Sequence, residues 1–169
     1  WIDEFVPGAG KINSIEQFKG GQSNPTYKII TDSKDLVLRR KPPGKLLPSA
    51  HAVDREYKVI TALYETDVPV PKTYGLCEDD DIAGTTFFVM DFLDGDLFWD
   101  PMIPSVTNKD RTEIYQNKNK TLAKLHNVDY KKFGLQDYGK PGNYVARQVS
   151  RWSKQYRASE TDDIEAMNN

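Results

Sequence analysis

Cysteine is almost missing: Cys77 is the single one among 169 residues. One thiol forms no internal disulfide and no multi-cysteine zinc site, so a reducing, cytoplasmic setting is expected. Histidine is nearly as scarce, with His51 and His126 alone. No apolar run approaches the roughly 18 residues of a membrane span, and no signal-peptide pattern opens the chain, so neither a membrane nor export is expected. Neither sign of charge dominates: 23 basic residues face 25 acidic ones, for a formal net charge of −2. A nucleic-acid partner needs a basic field that this balance does not supply, so any anion site must be local. There is no internal repeat and no low-complexity tract. What remains, 38% hydrophobic and 28% charged residues, is the composition of a globular domain able to bury a core. The first residue is Trp1 rather than methionine, which suggests an excerpt from a longer polypeptide.

Period-two patterning predicts strands over residues 15–19, 26–31 and 36–40, the first two joined by a glycine-rich turn and the last stopped by Pro42-Pro43-Gly44. Residues 1–10 read as a short approach segment. From Ser49, an N-cap candidate, to about residue 65, Val53, Tyr57, Ile60 and Tyr64 recur at helical spacing with Leu63 beside them, and His51 falls within this helix. Two further strands, over 72–77 and 85–92, flank an acidic turn of Glu78 and Asp79 to Asp81. Residues 93–107 read as a linker, and 108–127 and 143–159 as helices. The expected architecture is α+β: a five-stranded antiparallel sheet with one prominent helix over 1–92, a linker over 93–107, and the opening of a mostly helical lobe over 108–169.

The chemistry concentrates in the first half. Gly20, Gly21, Gln22, Ser23 and Asn24 form a turn of glycines and small hydrogen-bonding side chains between two strands. Glycine lets the backbone come close to phosphate oxygens, and consecutive N–H groups complete their hydrogen bonds. Alternation on the third strand puts Val37 and Arg39 on one face, which makes Val37 a candidate to lie against a base and Arg39 a candidate to reach phosphates. Glu56, seventeen positions beyond Arg39, is placed to hold that cation and spare the entropy of ordering it anew for each nucleotide. In the stretch from Phe87 to Leu93 a buried strand runs into a linker whose backbone is suited to an adenine edge, with Met90 at the pocket wall and Asp91, Phe92 and Leu93 at its rim. Asp94 and Asp96 flank Gly95 and are candidates for a substrate hydroxyl or ribose, and Arg147 and Arg151 for a phosphorylated or CoA-like substrate.

The segments FKGGQSNPTYKI, LVLRRKPP, DREYKVITAL, FFVMDFLDG and LAKLH together resemble the aminoglycoside phosphotransferase and choline kinase-like superfamily, related in fold to protein kinases. With RQVSRWSKQY added, the chain is most similar to the branch fused to, or encoded beside, acyl-CoA dehydrogenases. The resemblance spans nearly the whole chain. It implies transfer of the γ-phosphoryl group of ATP, with magnesium, to the hydroxyl of a small molecule. Hydroxyacyl-CoA is the acceptor class that the branch implies; aminoglycoside, choline and homoserine stay open. It also implies an acyl-CoA dehydrogenase as partner or fusion. By position Gly21 to Asn24 match the phosphate loop, Arg39 the strand cation, commonly lysine elsewhere in the superfamily, and Glu56 its partner.

Members carry a His-Gly-Asp catalytic loop, an asparagine five residues after its aspartate, and a later aspartate that holds metal. This chain has none of these: in His126-Asn127-Val128-Asp129 the spacing differs, and the residue five beyond Asp129 is Gly134. No catalytic or metal-ligating residue is therefore expected within these residues, and the chain reads as an inactive fragment that stops early in the catalytic lobe, with self-association expected from its uncovered apolar surface. Plainer readings exist. Gly20-Gly21 also suits a simple hairpin turn, Arg39 and Glu56 an exposed ion pair of about 0–1 kcal/mol, and Asp79 to Asp81 a solvated turn without calcium-loop spacing. A non-catalytic nucleotide-binding module and an interaction domain that keeps only the fold are the competing functions.

Overall fold

The computed structural model describes residues 1–19, 23–44 and 51–168. Along the chain the elements are α1 (Ile2–Phe5), β1 (Ile12–Gln17), β2 (Thr26–Thr31), β3 (Asp35–Arg40), α2 (Val53–Tyr64), β4 (Thr73–Cys77), α3 (Asp80–Ala83), β5 (Phe87–Asp91), α4 (Asn108–His126), α5 (Tyr144–Ser159) and α6 (Glu165–Asn168). The strands make one antiparallel sheet in the order β1-β2-β3-β5-β4. The fold is α+β, a five-stranded antiparallel sheet with helices, as the patterning implied. Residues Trp1–Leu135 form one compact unit and Gln136–Asn169 a second. Among the described residues no helix is long and apolar enough to cross a membrane.

Paired residues of an antiparallel sheet share a face, so the register sorts the side chains directly. On one face Ile29, Leu36, Phe87, Val89 and Cys77 form a buried cluster closed by Val6 and Ala9. Trp1 stacks on Phe5 with ring centroids 4.5 Å apart and meets Phe87 edge-on at 5.0 Å. Gly75 of β4 lies beneath these rings, where a Cβ would sit 3.0 Å from Phe5 and 3.1 Å from Trp1. The approach segment is thus a lid over the outer face of the sheet. It is tied down by Ser33, which donates to the carbonyls of Gly8 and Ala9, and by Asp32, which accepts from Lys11 N at 3.0 Å.

On the opposite face Val37 and Phe88 pack toward α2, whose Tyr57 ring lies 6.0 Å from that of Phe88. This helix begins at Val53, after Ala52 at the N-cap and His51 at φ 59°. His51 is therefore outside the helix, contrary to the periodicity; a left-handed residue cannot continue the right-handed turn behind it. The Ser49 N-cap lies outside the described residues. Val53 and Leu63 are buried, whereas Tyr64 is exposed and leaves the apolar stripe at the last turn.

Two further elements differ from the pattern. β1 runs over Ile12–Gln17 rather than 15–19, because an edge strand with every residue exposed carries little apolar alternation to mark its ends. The acidic turn is a one-turn helix, α3, capped by Asp79, whose carboxylate accepts from Asp81 N, and ended by Gly84 in the left-handed region. α4 is capped by Thr107, which accepts from Asp110 N at 3.2 Å, and carries Lys124 and His126 at its C-terminal end, where positive charge suits the helix dipole. Neither α4 nor α5 has a buried residue, and Leu122, Leu125, Val149 and Trp152 are exposed.

Candidate functional site

A cavity of about 620 Å³ opens along the edge of the sheet where β5 leaves it. Val37 of β3 and Met90 of β5, neighbours in register, form its apolar wall, and Thr26, Phe92, Leu93 and Trp99 extend it. The sequence places these side chains by alternation: Thr26, Val37 and Met90 share the face that carries α2, opposite Leu36 and Val89.

The exit of β5 is held firmly. Asp91 N donates to the Lys72 carbonyl at 2.9 Å and Phe92 N to the Asp35 carbonyl at 3.3 Å. The Lys28 ammonium lies 4.0 Å from the centre of the Phe92 ring while pairing with Asp35 at 2.7 Å, and Phe18 stacks on Phe92 at 6.4 Å. The Asp91 carboxylate accepts from the Tyr74 hydroxyl at 2.5 Å, and Lys34 Nζ donates to that hydroxyl at 3.1 Å. Burial, and then the bond to and the charge of Asp91, push the Tyr74 hydroxyl up from 10.0 to about 12, with Lys72 opposing the change. The chain leaves the sheet from an anchored point, at Leu93.

Behind the cavity, the Arg39 guanidinium forks onto Glu56 of α2: Nε donates to Oε2 and Nη2 to Oε1 at 3.3 Å. Nη1 donates to Thr26 Oγ1 at 3.0 Å. Arg39 does not line the cavity itself; Thr26, which does, joins the two. A fork of this kind fixes the guanidinium plane as well as its charge.

Of the remaining sequence candidates, Asp96 lines the cavity and Asp94 is not among the residues that line it. Ser23 is exposed at the end of the glycine turn, Asn24 is buried, and Gly20, Gly21 and Gln22 lie outside the described residues. In the second unit the Arg147 guanidinium donates to the carbonyls of Gly142 and Lys140, bracing the turn before α5. Arg151 lies on the same helix. Asp129 accepts from the backbone N–H groups of Lys131 and Lys132, a turn-forming role. A larger hollow of about 950 Å³, between the end of α2 and the end of α4, contains none of the candidate nucleotide residues.

The model of the phosphotransferase enzyme family matches residues 14–169. The chain belongs to this family. Its sequence is 51% identical over 153 residues to "Probable acyl-CoA dehydrogenase IBR3" of Arabidopsis thaliana, covering 88% of this chain and 19% of that protein. It is 44% identical over 171 residues to acyl-CoA dehydrogenase family member 11 of Homo sapiens, covering 99% of this chain and 22% of that protein. A crystal structure from Ralstonia eutropha JMP134, provisionally named an aminoglycoside phosphotransferase, superposes with a TM-score of 0.80 at 48% identity, covering 99% of this chain and 48% of that one. The chain therefore spans about a fifth of these curated relatives and about half of the solved chain.

Kinases and GTPases transfer phosphoryl groups from a metal-bound nucleotide; among the described residues of this chain no group of three or more His, Cys, Asp or Glu is placed to hold a metal ion. Glu56 is taken by Arg39 and Asn24, and Asp91 by Tyr74. Neither carboxylate is therefore left to hold a cation from the protein side. Sequence reasoning passed over Thr26, His51 and Tyr74. Thr26 opens β2, and only its pairing with Arg39 across the ladder sets it on the face of Val37 and Arg39; the other two enter the site through contacts across the chain that no local pattern marks.

Proposed function

We propose that this chain is the nucleotide-binding part of an ATP-dependent phosphotransferase that passes the γ-phosphoryl group to a hydroxyl of a small molecule. The observation that carries the reading is the forked Arg39–Glu56 pair, set between β3 and α2 directly behind an apolar cavity that ends where β5 leaves the sheet. In this reading Val37 and Met90 cover one face of the base, the backbone near Leu93 meets its polar edge, and the glycine-rich segment supplies backbone N–H groups to the phosphates. Arg39 supplies the charge that steadies those phosphates while Glu56 and Thr26 keep the guanidinium from collapsing onto them. Magnesium, where it accompanies the nucleotide, would neutralise charge on the phosphates. A general base and metal-holding carboxylates would have to be supplied from outside these residues.

The acceptor we favour is a hydroxyacyl-CoA, supported by relatives that bear acyl-CoA dehydrogenase names, and an acyl-CoA dehydrogenase is the partner or fused domain this implies. Isothermal titration calorimetry of MgATP into the full-length gene product, followed by ADP release with a 3-hydroxyacyl-CoA and with an aminoglycoside, tests the reading. Saturable binding and ADP release dependent on the acyl-CoA are expected. Binding without transfer to either acceptor supports a non-catalytic nucleotide module instead, and no binding at all overturns the assignment.

A further inference from the structure

The side chain of Asn24 belongs to a different task from the one its place after the glycine turn suggests. Asn24 is only 4% exposed, and both ends of its amide are engaged inside the protein. Glu56 Oε1 lies 3.0 Å from the amide. A carboxylate only accepts, so the group facing it is the Nδ2 donor, which turns Oδ1 toward His51 Nδ1, also at 3.0 Å. His51 Nδ1 therefore carries a proton in the neutral as well as the charged imidazole. The circuit closes through the backbone. Thr26 Oγ1 donates to the Asn24 carbonyl at 3.0 Å and accepts from Arg39 Nη1 at 3.0 Å. Asn24, Glu56, Arg39 and Thr26 thus form a ring of hydrogen bonds, with His51 propped against it from the segment before α2.

We infer that Asn24, backed by His51, is a positioning residue that locks the end of the phosphate loop to the Arg39–Glu56 pair, and not a phosphate ligand. The inference rests on the nucleotide reading above. Three parts of the chain distant in sequence, the loop end, the central strand and α2, then take up their binding geometry as one body, so ordering one orders the others. Coupled hydrogen bonds polarise one another and are worth more together than singly, and a site assembled in advance loses less entropy when ligand arrives.

A double-mutant cycle separates positioning from direct contact. MgATP dissociation constants are measured by calorimetry on the full-length protein for wild type, Asn24→Ala, Arg39→Ala and the double variant, with melting temperatures alongside. Asn24→Ala is expected to weaken MgATP about tenfold, the size of one hydrogen bond to a charged group, and to have no more than about a twofold effect once Arg39 is alanine, because its influence passes through that residue. Equal losses in both backgrounds identify a direct ligand and overturn the inference. So does a lowered melting temperature with unchanged affinity, which marks a structural contact alone. Should Asn24→Ala not fold, His51→Ala leaves the ring intact and is expected to give a smaller loss, about threefold, as for a neutral hydrogen bond, again abolished beside Arg39→Ala. Wild-type protein that binds no MgATP overturns the nucleotide reading and this inference with it.

Discussion

Replacing Arg39 with alanine separates what the pair does for the fold from what it does for ligand. The change removes the two links to Glu56 and the one to Thr26. The Arg39 side chain is 30% exposed and that of Glu56 34%, so water reaches both and restores part of what is lost. Glu56 also keeps the Asn24 donor and is not stranded. The stability loss therefore belongs near the top of the surface range, about 1 kcal/mol, and not at the roughly 3–5 kcal/mol of a broken buried pair. That corresponds to a fall of about 2–4 °C in melting temperature for a domain of this size. Binding should suffer more, because a charge-assisted contact to phosphate is worth about 1.5–3 kcal/mol, or about 10- to 150-fold in Kd. Arg39→Lys keeps the charge without the fork and should fall between. Thermal unfolding and MgATP calorimetry on the three full-length proteins give both numbers. An alanine variant whose Kd stays within twofold of wild type refutes the phosphate role, whatever its melting temperature does.

Two further outcomes concern the framework around the site. The Tyr74 hydroxyl is pushed up to about 12, so the native state holds its proton more tightly than the unfolded chain does. Its contribution to stability is complete below about pH 10, the ordinary tyrosine value, and is lost as pH rises toward 12. The stability difference between wild type and Tyr74→Phe, from urea midpoints, should be level up to about pH 10 and shrink above it; a difference that grows there contradicts the Tyr74–Asp91 bond. Gly75→Ala would press a methyl group to 3.0 Å from Phe5 and 3.1 Å from Trp1. Overpacking of about 1–3 kcal/mol outweighs the roughly 0.4–1 kcal/mol gained by stiffening the unfolded chain, so the melting temperature should drop and the tryptophan emission shift. A variant as stable as wild type would place the aromatic lid elsewhere.

How much of this was readable depends on whether the cause is local. The strand at Thr26–Thr31 falls at its expected limits because alternation and the turns on either side agree. Arg39 and Glu56 were legible as a pair because strand alternation and helix spacing each leave one face open, and the two faces meet. The lid made by Trp1, Phe5 and Val6 was not legible: nothing in those residues says that the glycine they cover lies at position 75. His51 escaped for a related reason, since a helical pattern ran through it while its φ of 59° set it outside the helix. The stripes on α4 and α5 announced helices correctly, yet burial depends on what lies against a helix, which its own sequence does not state.

β3 is the middle strand of five, laddered to β2 on one side and to β5 on the other. A slip of one residue would reverse its faces, driving Arg39 among Leu36's apolar neighbours and turning Leu36 toward α2. Both ladders would have to slip together for that to happen. The position of the guanidinium is therefore checked twice as the chain folds, and substitutions that change which cation stands at 39 leave untouched the address at which it is delivered.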